Sequence, residues 1–298
     1  MTIFVLMNQQ LLYEIAQHRM LIDTPNAEVT ARLIPSFTPF RVESNESNEN
    51  IDLLFHLSGN KQVAIPPRAP NDMMGVDGLT FQVYHNAGSV TVSVKDKEKR
   101  HNFNISADKK TVTTDLTLTE EYESRFLAYF LRAAYGIAAA NHQTIKIHAS
   151  VIEKEGKALV FMGKSGTGKS THSQNWLKFV PDCQLLNDDE PILRILKDGS
   201  IRVYGAPWSG STPCYRNTWA EVAAFVRLYQ STENKLTPLK GIHAFASLYQ
   251  SVAILRSDEE NKEQIITIVN KILEQVPIYR LDNRPDRKAV SLTETLLK

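Results

Sequence analysis

The chain has few cysteines, no long apolar run and almost no net charge, and each shortage removes a class of function. Only Cys183 and Cys214 occur among 298 residues, and they are not in a Cys-x-x-Cys spacing. A disulfide framework and a structural zinc site are therefore not expected, and a reducing cytoplasmic setting fits. No apolar run approaches the ~20 residues that span a bilayer. The apolar start, Met1 to Met7, is too short for a signal peptide and lacks a basic lead. Lysine and arginine exceed aspartate and glutamate by one, so neither nucleic acid nor an anionic membrane is an expected partner. The remainder is ordinary, with 42% hydrophobic and 22% charged residues. A chain of this length can bury a core without staples.

The first part of the chain reads mainly as strands. Arg32–Ile34, Asp52–Leu57, Leu79–Tyr84, Ser89–Val94 and Asn102–Ile105 are short, β-branched or aromatic segments. Turn-formers such as Gly59-Asn60, Pro66-Pro67 and Asn86-Ala87-Gly88 separate them. No nucleophile arrangement, metal spacing or glycine-rich loop occurs there. From Glu120 to His142 the period changes: Tyr122, Phe126, Phe130, Ala134 and Ala138 recur every fourth residue. This predicts an amphipathic helix, with Thr119 as its cap. The expected division is a mostly β N-terminal domain over 1–118 and an α/β domain over 119–298.

The second part carries the chemistry. Strands are expected at Thr144–His148 and Ala158–Met162, a helix over about Ser170–Phe179, and a short strand at Gln184–Leu186. A hairpin is expected around Lys197-Asp198-Gly199-Ser200, then a strand at Val222–Leu228, a helix through Ile265 and Val276, and a strand at Ile278–Leu281. Between the second strand and the first helix lies Gly163, Lys164, Ser165, Gly166, Thr167, Gly168, Lys169, Ser170 and Thr171. This matches the Gly-x-x-x-x-Gly-Lys-[Ser/Thr] (Walker A) phosphate-binding loop in its required strand–loop–helix setting. In such a loop the glycines let successive N–H groups turn inward on phosphate oxygens, and the helix N-terminus adds its dipole. Lys169 would reach the β- and γ-phosphates of ATP, and Ser170 would ligate Mg²⁺.

Phosphoryl transfer also requires carboxylates, and Asp188 and Asp189 follow one helix and one short strand later. The run Asn187-Asp-Asp-Glu190-Pro191 also suits a solvated turn, but the apolar approach through Leu185 and Leu186 favours a buried strand end. Adjacent residues there point to opposite sides, so one can face a metal and the other an acceptor. His148, taken by itself, reads as a strand-end histidine held by a backbone carbonyl. Trp208, in Gly205-Ala-Pro-Trp-Ser-Gly210, reads as a flap over the site or as a buried anchor. Arg216, Arg227, Arg256, Arg280, Arg284 and Arg287 include candidates for a charge-stabilising arginine, with Arg227, at a strand end, preferred.

Together, Lys146-Ile-His148-Ala-Ser150, the loop Gly163–Thr171, and Leu186-Asn-Asp-Asp189 resemble the kinase domain of HPr kinase/phosphorylase. That family shares its P-loop core with ATP-dependent phosphoenolpyruvate carboxykinase. The resemblance spans about residues 145–230. It implies a P-loop kinase domain with a mixed sheet, Asp188 as the base on an acceptor serine, and His148 beside the reacting phosphate. Asp189 is then left, with Ser170, to hold Mg²⁺. Thr171 stands where the family has a glutamate, and the family's Glu-x-Arg-Gly stretch is absent. Both departures bear on HPr as the acceptor and on the reverse phosphorylase reaction. The expected activity is an ATP- and Mg²⁺-dependent kinase acting on a hydroxyl, foremost a serine of a protein or peptide. A small-molecule kinase or carboxykinase-like enzyme and a nucleotide-binding regulatory module are the alternatives. Assembly as a homo-oligomer is compatible with the sequence.

Overall fold

The computed structural model describes residues 9–43, 52–210, 212–253 and 257–297. Met1 to Met7 and Arg256 lie outside the described residues. The protein is a mixed α/β structure, rich in strands, with two mixed sheets. The chain divides into two compact units between Ala139 and Ala140, and Ser257, Asp258 and Glu259 return to the first. The division thus falls after the amphipathic helix, not before it at 118/119.

In the first unit, a nine-stranded sheet runs from Arg41–Val42 at one edge to Asp72–Val76 at the other. Its hairpins turn where residue pairs accept positive φ, as at Asp77-Gly78 and Ala87-Gly88. Arg32 and Leu33, expected in a strand, belong instead to the helix Ala27–Leu33. Asn26 starts that helix by accepting the Val29 N–H, a local cap that outweighs the short apolar run. The long helix is Ser124–Ala139, and it buries Phe126, Leu127, Phe130, Leu131 and Ala134. Its entry is fixed by Glu123 and not by Thr119. The buried Glu123 carboxylate accepts from Thr117 N, Thr119 N and Glu120 N, gathering backbone donors a threonine hydroxyl would leave unmatched.

The second unit is built on another nine-stranded sheet. Its central strand Trp219–Gln230 runs parallel to Lys157–Met162 on one side and to Ile278–Asn283 on the other. Ala149–Lys154 is antiparallel to Lys157–Met162 and to Gln184–Asp189. Those four co-directional strands therefore deliver their C-terminal ends to one edge of the sheet. Glu155-Gly156 makes the tight turn between Ala149–Lys154 and Lys157–Met162, with φ of +52° and +78°. The expected hairpin at Lys197–Ser200 joins Ile192–Ile195 to Ile201–Tyr204. On one face Phe225, Ile268, Val269 and Ile272 form the core; on the other, Phe161, Trp176, Val226 and Leu281. Each such side chain, fully buried, contributes ~1.5–3 kcal/mol. Among the described residues, no helix is long and apolar enough to cross a membrane.

Candidate functional site

The strand Lys157–Met162 is buried from Ala158 onward, so the chain must leave the sheet abruptly at its end. It does so through Gly163–Gly168 into the helix Lys169–Phe179. Gly166 and Gly168 have φ of +80° and +94°, values that side chains with a Cβ rarely adopt. Between them, Thr167 closes the loop on itself: its N–H and hydroxyl both donate to the Lys164 carbonyl, at 3.2 and 2.8 Å. The helix begins at Gly168 with no side-chain cap. Its first N–H groups therefore open toward the loop, where an anion can satisfy them.

Lys169 Nζ folds back on the loop, 3.1 Å from the Gly163 carbonyl and 3.5 Å from that of Lys164. Burial lowers its pKa from the ordinary lysine value, while Asp188 and Asp189 oppose that shift. The charge thus rests on the loop, within electrostatic reach of both carboxylates.

The acid pair ends the strand Gln184–Asp189. Asp188 is opposite Ser150 in the register, and Ser150 shares a 2.7 Å hydrogen bond with Ser173 of the loop helix. Asp188 accordingly faces that helix, and Ser170 donates to its Oδ1 at 3.1 Å. Asp189, one residue on, turns the other way, and its Oδ1 lies 3.1 Å from His148 Nδ1. Ser170 was expected to work with Asp189; it lies instead against Asp188. Strand alternation causes the difference, because only the buried member of the pair points at the helix.

His148 sits between the strands Thr144–Lys146 and Ala149–Lys154; the strand expected over Thr144–His148 stops two residues short of it, and Ala149–Lys154 was not expected as a strand. Its backbone N–H donates to the Ser251 carbonyl at 2.6 Å, which frees the imidazole to face Asp189. These groups line a cleft of about 370 Å³ with Ser165, Gly166, Gly168, Lys169, Ser170, Thr171 and Gly210. The structure therefore brings six of the nine expected loop residues, both aspartates and His148 to one place; Gly163, Lys164 and Thr167 do not line it.

Trp208 is not in the wall of this cleft. It is buried, with Lys146 Nζ 5.0 Å from its ring centroid, and Lys146 pairs with Glu190 at 2.9 Å. The Gly205–Gly210 segment is strapped to the acid-pair strand. Asn187 Nδ2 donates to the Trp208 carbonyl at 3.0 Å, and Gly210 N donates to that of Asp188 at 2.6 Å. The anchor reading of Trp208 describes this arrangement and the flap reading does not. Arg227 is also spoken for. Its buried guanidinium donates to Ser247 Oγ at 2.7 Å and Ser251 Oγ at 2.8 Å, pinning the helix Gly241–Tyr249. Ser150, Ser173, Ser251 and Gln230, whose amide donates to the Gly166 carbonyl at 3.0 Å, were not singled out by sequence. No motif marks them, since their roles arise from tertiary placement on different strands, a helix and a turn.

Among the described residues no group of three or more His, Cys, Asp or Glu side chains is arranged to hold a metal. Ser170 Oγ and Asp188 Oδ1 are nevertheless 3.1 Å apart. That is about the separation of adjacent corners in an octahedron with ligands at ~2.1 Å, the Mg²⁺ geometry. Mg²⁺ commonly takes only one or two protein ligands and completes its shell with phosphate and water.

No family model matches the chain, and no curated protein matches it. Solved structures that are similar include the Hpr(Ser) kinase/phosphatase from Coxiella burnetii, at 14% identity and a TM-score of 0.33. The match covers 51% of this chain and 87% of that one, a distant structural relationship.

Proposed function

We propose that the second unit binds Mg·ATP in this cleft and transfers the γ-phosphoryl group to a hydroxyl, foremost a serine of a protein or peptide. The observation that carries the reading is the convergence of Ser165, Gly166, Gly168, Lys169 and Ser170 of the loop with Asp188, Asp189 and His148 on one cleft. In this reading the N–H groups of Gly166, Gly168, Lys169 and Ser170 and the Lys169 ammonium hold the phosphates, while the Thr167 N–H stays on the Lys164 carbonyl. Ser170 and Asp188 hold Mg²⁺, which would offset phosphate charge.

Asp189 then accepts the proton of the attacking hydroxyl, with His148 orienting its carboxylate at 3.1 Å. This division reverses the one implied by the sequence resemblance, where Asp188 was the base. The 3.1 Å contact of Ser170 with Asp188 favours the reversal. A small-molecule kinase would be expected to use a compact pocket near Trp208, and Trp208 is buried away from the cleft. That leaves the protein or peptide acceptor as the preferred reading.

The test is calorimetric titration with Mg·ATP, then incubation with γ-labelled ATP and a cell lysate. Saturable Mg²⁺-dependent binding and label on a serine are expected. Binding without any transfer would favour the regulatory reading, and no binding at all would overturn both.

A further inference from the structure

A nucleotide has two ends, and the acid pair accounts for one of them. At the sheet edge that carries the loop, the strands run in the order Gln184–Asp189, Ala149–Lys154, Lys157–Met162, Trp219–Gln230, Ile278–Asn283. The loop springs from the middle strand of these five. Asp188 and Asp189 lie two strands to one side. If the reacting phosphate is drawn to that side, the nucleoside must leave on the other, over the ends of Trp219–Gln230 and Ile278–Asn283. From the first to the last of these strands is four inter-strand spacings, about 19 Å.

Trp219–Gln230 is in direct contact with the loop. Gln230 Nε2 donates to the Gly166 carbonyl at 3.0 Å, and a Cβ on Gly163 would lie 3.3 Å from the Leu228 carbonyl. Beside Gln230, on the opposite face of the strand, is Tyr229. It is 41% exposed. The other exposed aromatic of this strand, Trp219, is at its far end. Arg280 lies over the Tyr229 ring, its guanidinium carbon 4.3 Å from the centroid.

The stack is held by its neighbours. Arg280 Nε donates to both carboxylate oxygens of Asp282 at 3.0 and 3.1 Å, and Nη2 donates to Oδ1 at 2.6 Å. Asp282 is itself opposite Tyr229 in the register. The fork fixes the plane of the guanidinium and matches its charge. What the surface offers is therefore flat π area rather than an uncompensated cation, which suits a nucleobase better than a second phosphate.

We infer that Tyr229 and Arg280 form the base-stacking subsite for the nucleotide whose phosphates occupy the Gly163–Ser170 loop, with a purine as the ring that covers them best. The inference rests on the nucleotide reading proposed above. The test separates the two by using a ligand with phosphates and no base.

Wild type, Tyr229→Ala and Tyr229→Trp are titrated calorimetrically with Mg·ATP and with Mg·tripolyphosphate, using the full chain. Stacking on an aromatic side chain is worth roughly 5- to 150-fold in affinity. Tyr229→Ala should weaken Mg·ATP by a factor in that range and leave tripolyphosphate within about twofold, whereas Tyr229→Trp should restore ATP. Unchanged ATP affinity in Tyr229→Ala overturns the subsite and leaves the phosphate site intact. Equal losses for both ligands also overturn it, since the side chain then supports the loop and not a base. Failure of the wild type to bind either ligand removes the nucleotide reading itself.

Discussion

The Ser170 hydroxyl donates to Asp188 Oδ1 at 3.1 Å and so joins the first turn of the loop helix to the end of the acid-pair strand. Two oxygens held this way form a preset edge for a small divalent cation. Removing one should therefore raise the Mg²⁺ requirement and not disturb the fold. Ser170→Ala is expected to increase the Mg²⁺ concentration for half-maximal ATP binding by ~10- to 100-fold, as one hydroxyl ligand or hydrogen bond to a charge is worth ~1.5–3 kcal/mol. Ser170→Thr, which keeps the oxygen, should restore it. An unchanged Mg²⁺ titration in Ser170→Ala would take this contact out of any metal site.

Lys169 Nζ rests on two loop carbonyls within electrostatic reach of two carboxylates, and none of these interactions is a hydrophobic one that the core needs. Lys169→Ala should therefore leave the thermal transition close to that of the wild type. Its ammonium rests on the loop, and charge-assisted contacts to phosphate are about twice as strong as neutral ones. Mg·ATP affinity is expected to fall at least ~10- to 100-fold in calorimetry. A variant that binds ATP as the wild type does would disconnect the loop from phosphate binding.

The loop, the acid pair and the Lys197–Ser200 hairpin were legible because each is local. Glycines at set positions permit positive φ, as at Gly166, Gly168 and Gly199. Which aspartate meets Ser170 was not legible. It depends on Asp188 standing opposite Ser150 on the helix-facing side of the sheet, and register is a tertiary property. The helices Gly241–Tyr249 and Arg287–Glu294 also escaped, since two turns give too few periods to show an apolar face. The strand Ala149–Lys154 escaped for a related reason. Only Thr144–His148 reads as a strand before the charged turn; Ala149–Lys154 shows itself as a second one through its partners, Lys157–Met162 and Gln184–Asp189, whereas Thr144–Lys146 pairs with Ile192–Ile195.

His172 gives an acid-stability prediction. It lies on the buried face of the loop helix, its ring 4.6 Å from that of Phe161, and burial pushes its pKa from 6.5 down to about 4. The folded protein therefore holds the neutral ring, while the unfolded chain takes up a proton as the pH falls below about 6.5. Between those values the unfolded state binds more protons, so stability is complete above the unfolded pKa and declines as the pH drops toward about 4. The decline from this one group should be on the order of 3 kcal/mol. Chemical denaturation at a series of pH values would measure it. His172→Phe should flatten that window, and an equally steep loss in the variant would assign acid sensitivity to other groups.

The sharpest prediction separates two adjacent carboxylates. Asp188 is buried and bonded to Ser170, whereas Asp189 is turned to His148 at the open side of the cleft. With Asp188 on the metal, Asp188→Asn should shift the Mg²⁺ titration upward, and excess metal should recover part of the rate. With Asp189 as the base, Asp189→Asn should leave Mg·ATP affinity near that of the wild type. It should lower transfer by ~10²–10⁴-fold, the range for a positioned general base. The mutant signatures are thus opposite in kind, one in apparent metal affinity and the other in rate at saturation. Measuring both variants over the same Mg²⁺ series decides between them. Exchanged signatures would restore the roles implied by resemblance, with Asp188 as base, and would mean that Ser170 parts from Asp188 once nucleotide is bound. If neither substitution slows transfer, proton abstraction does not pass through the end of this strand, and the chemistry assigned to the cleft is wrong.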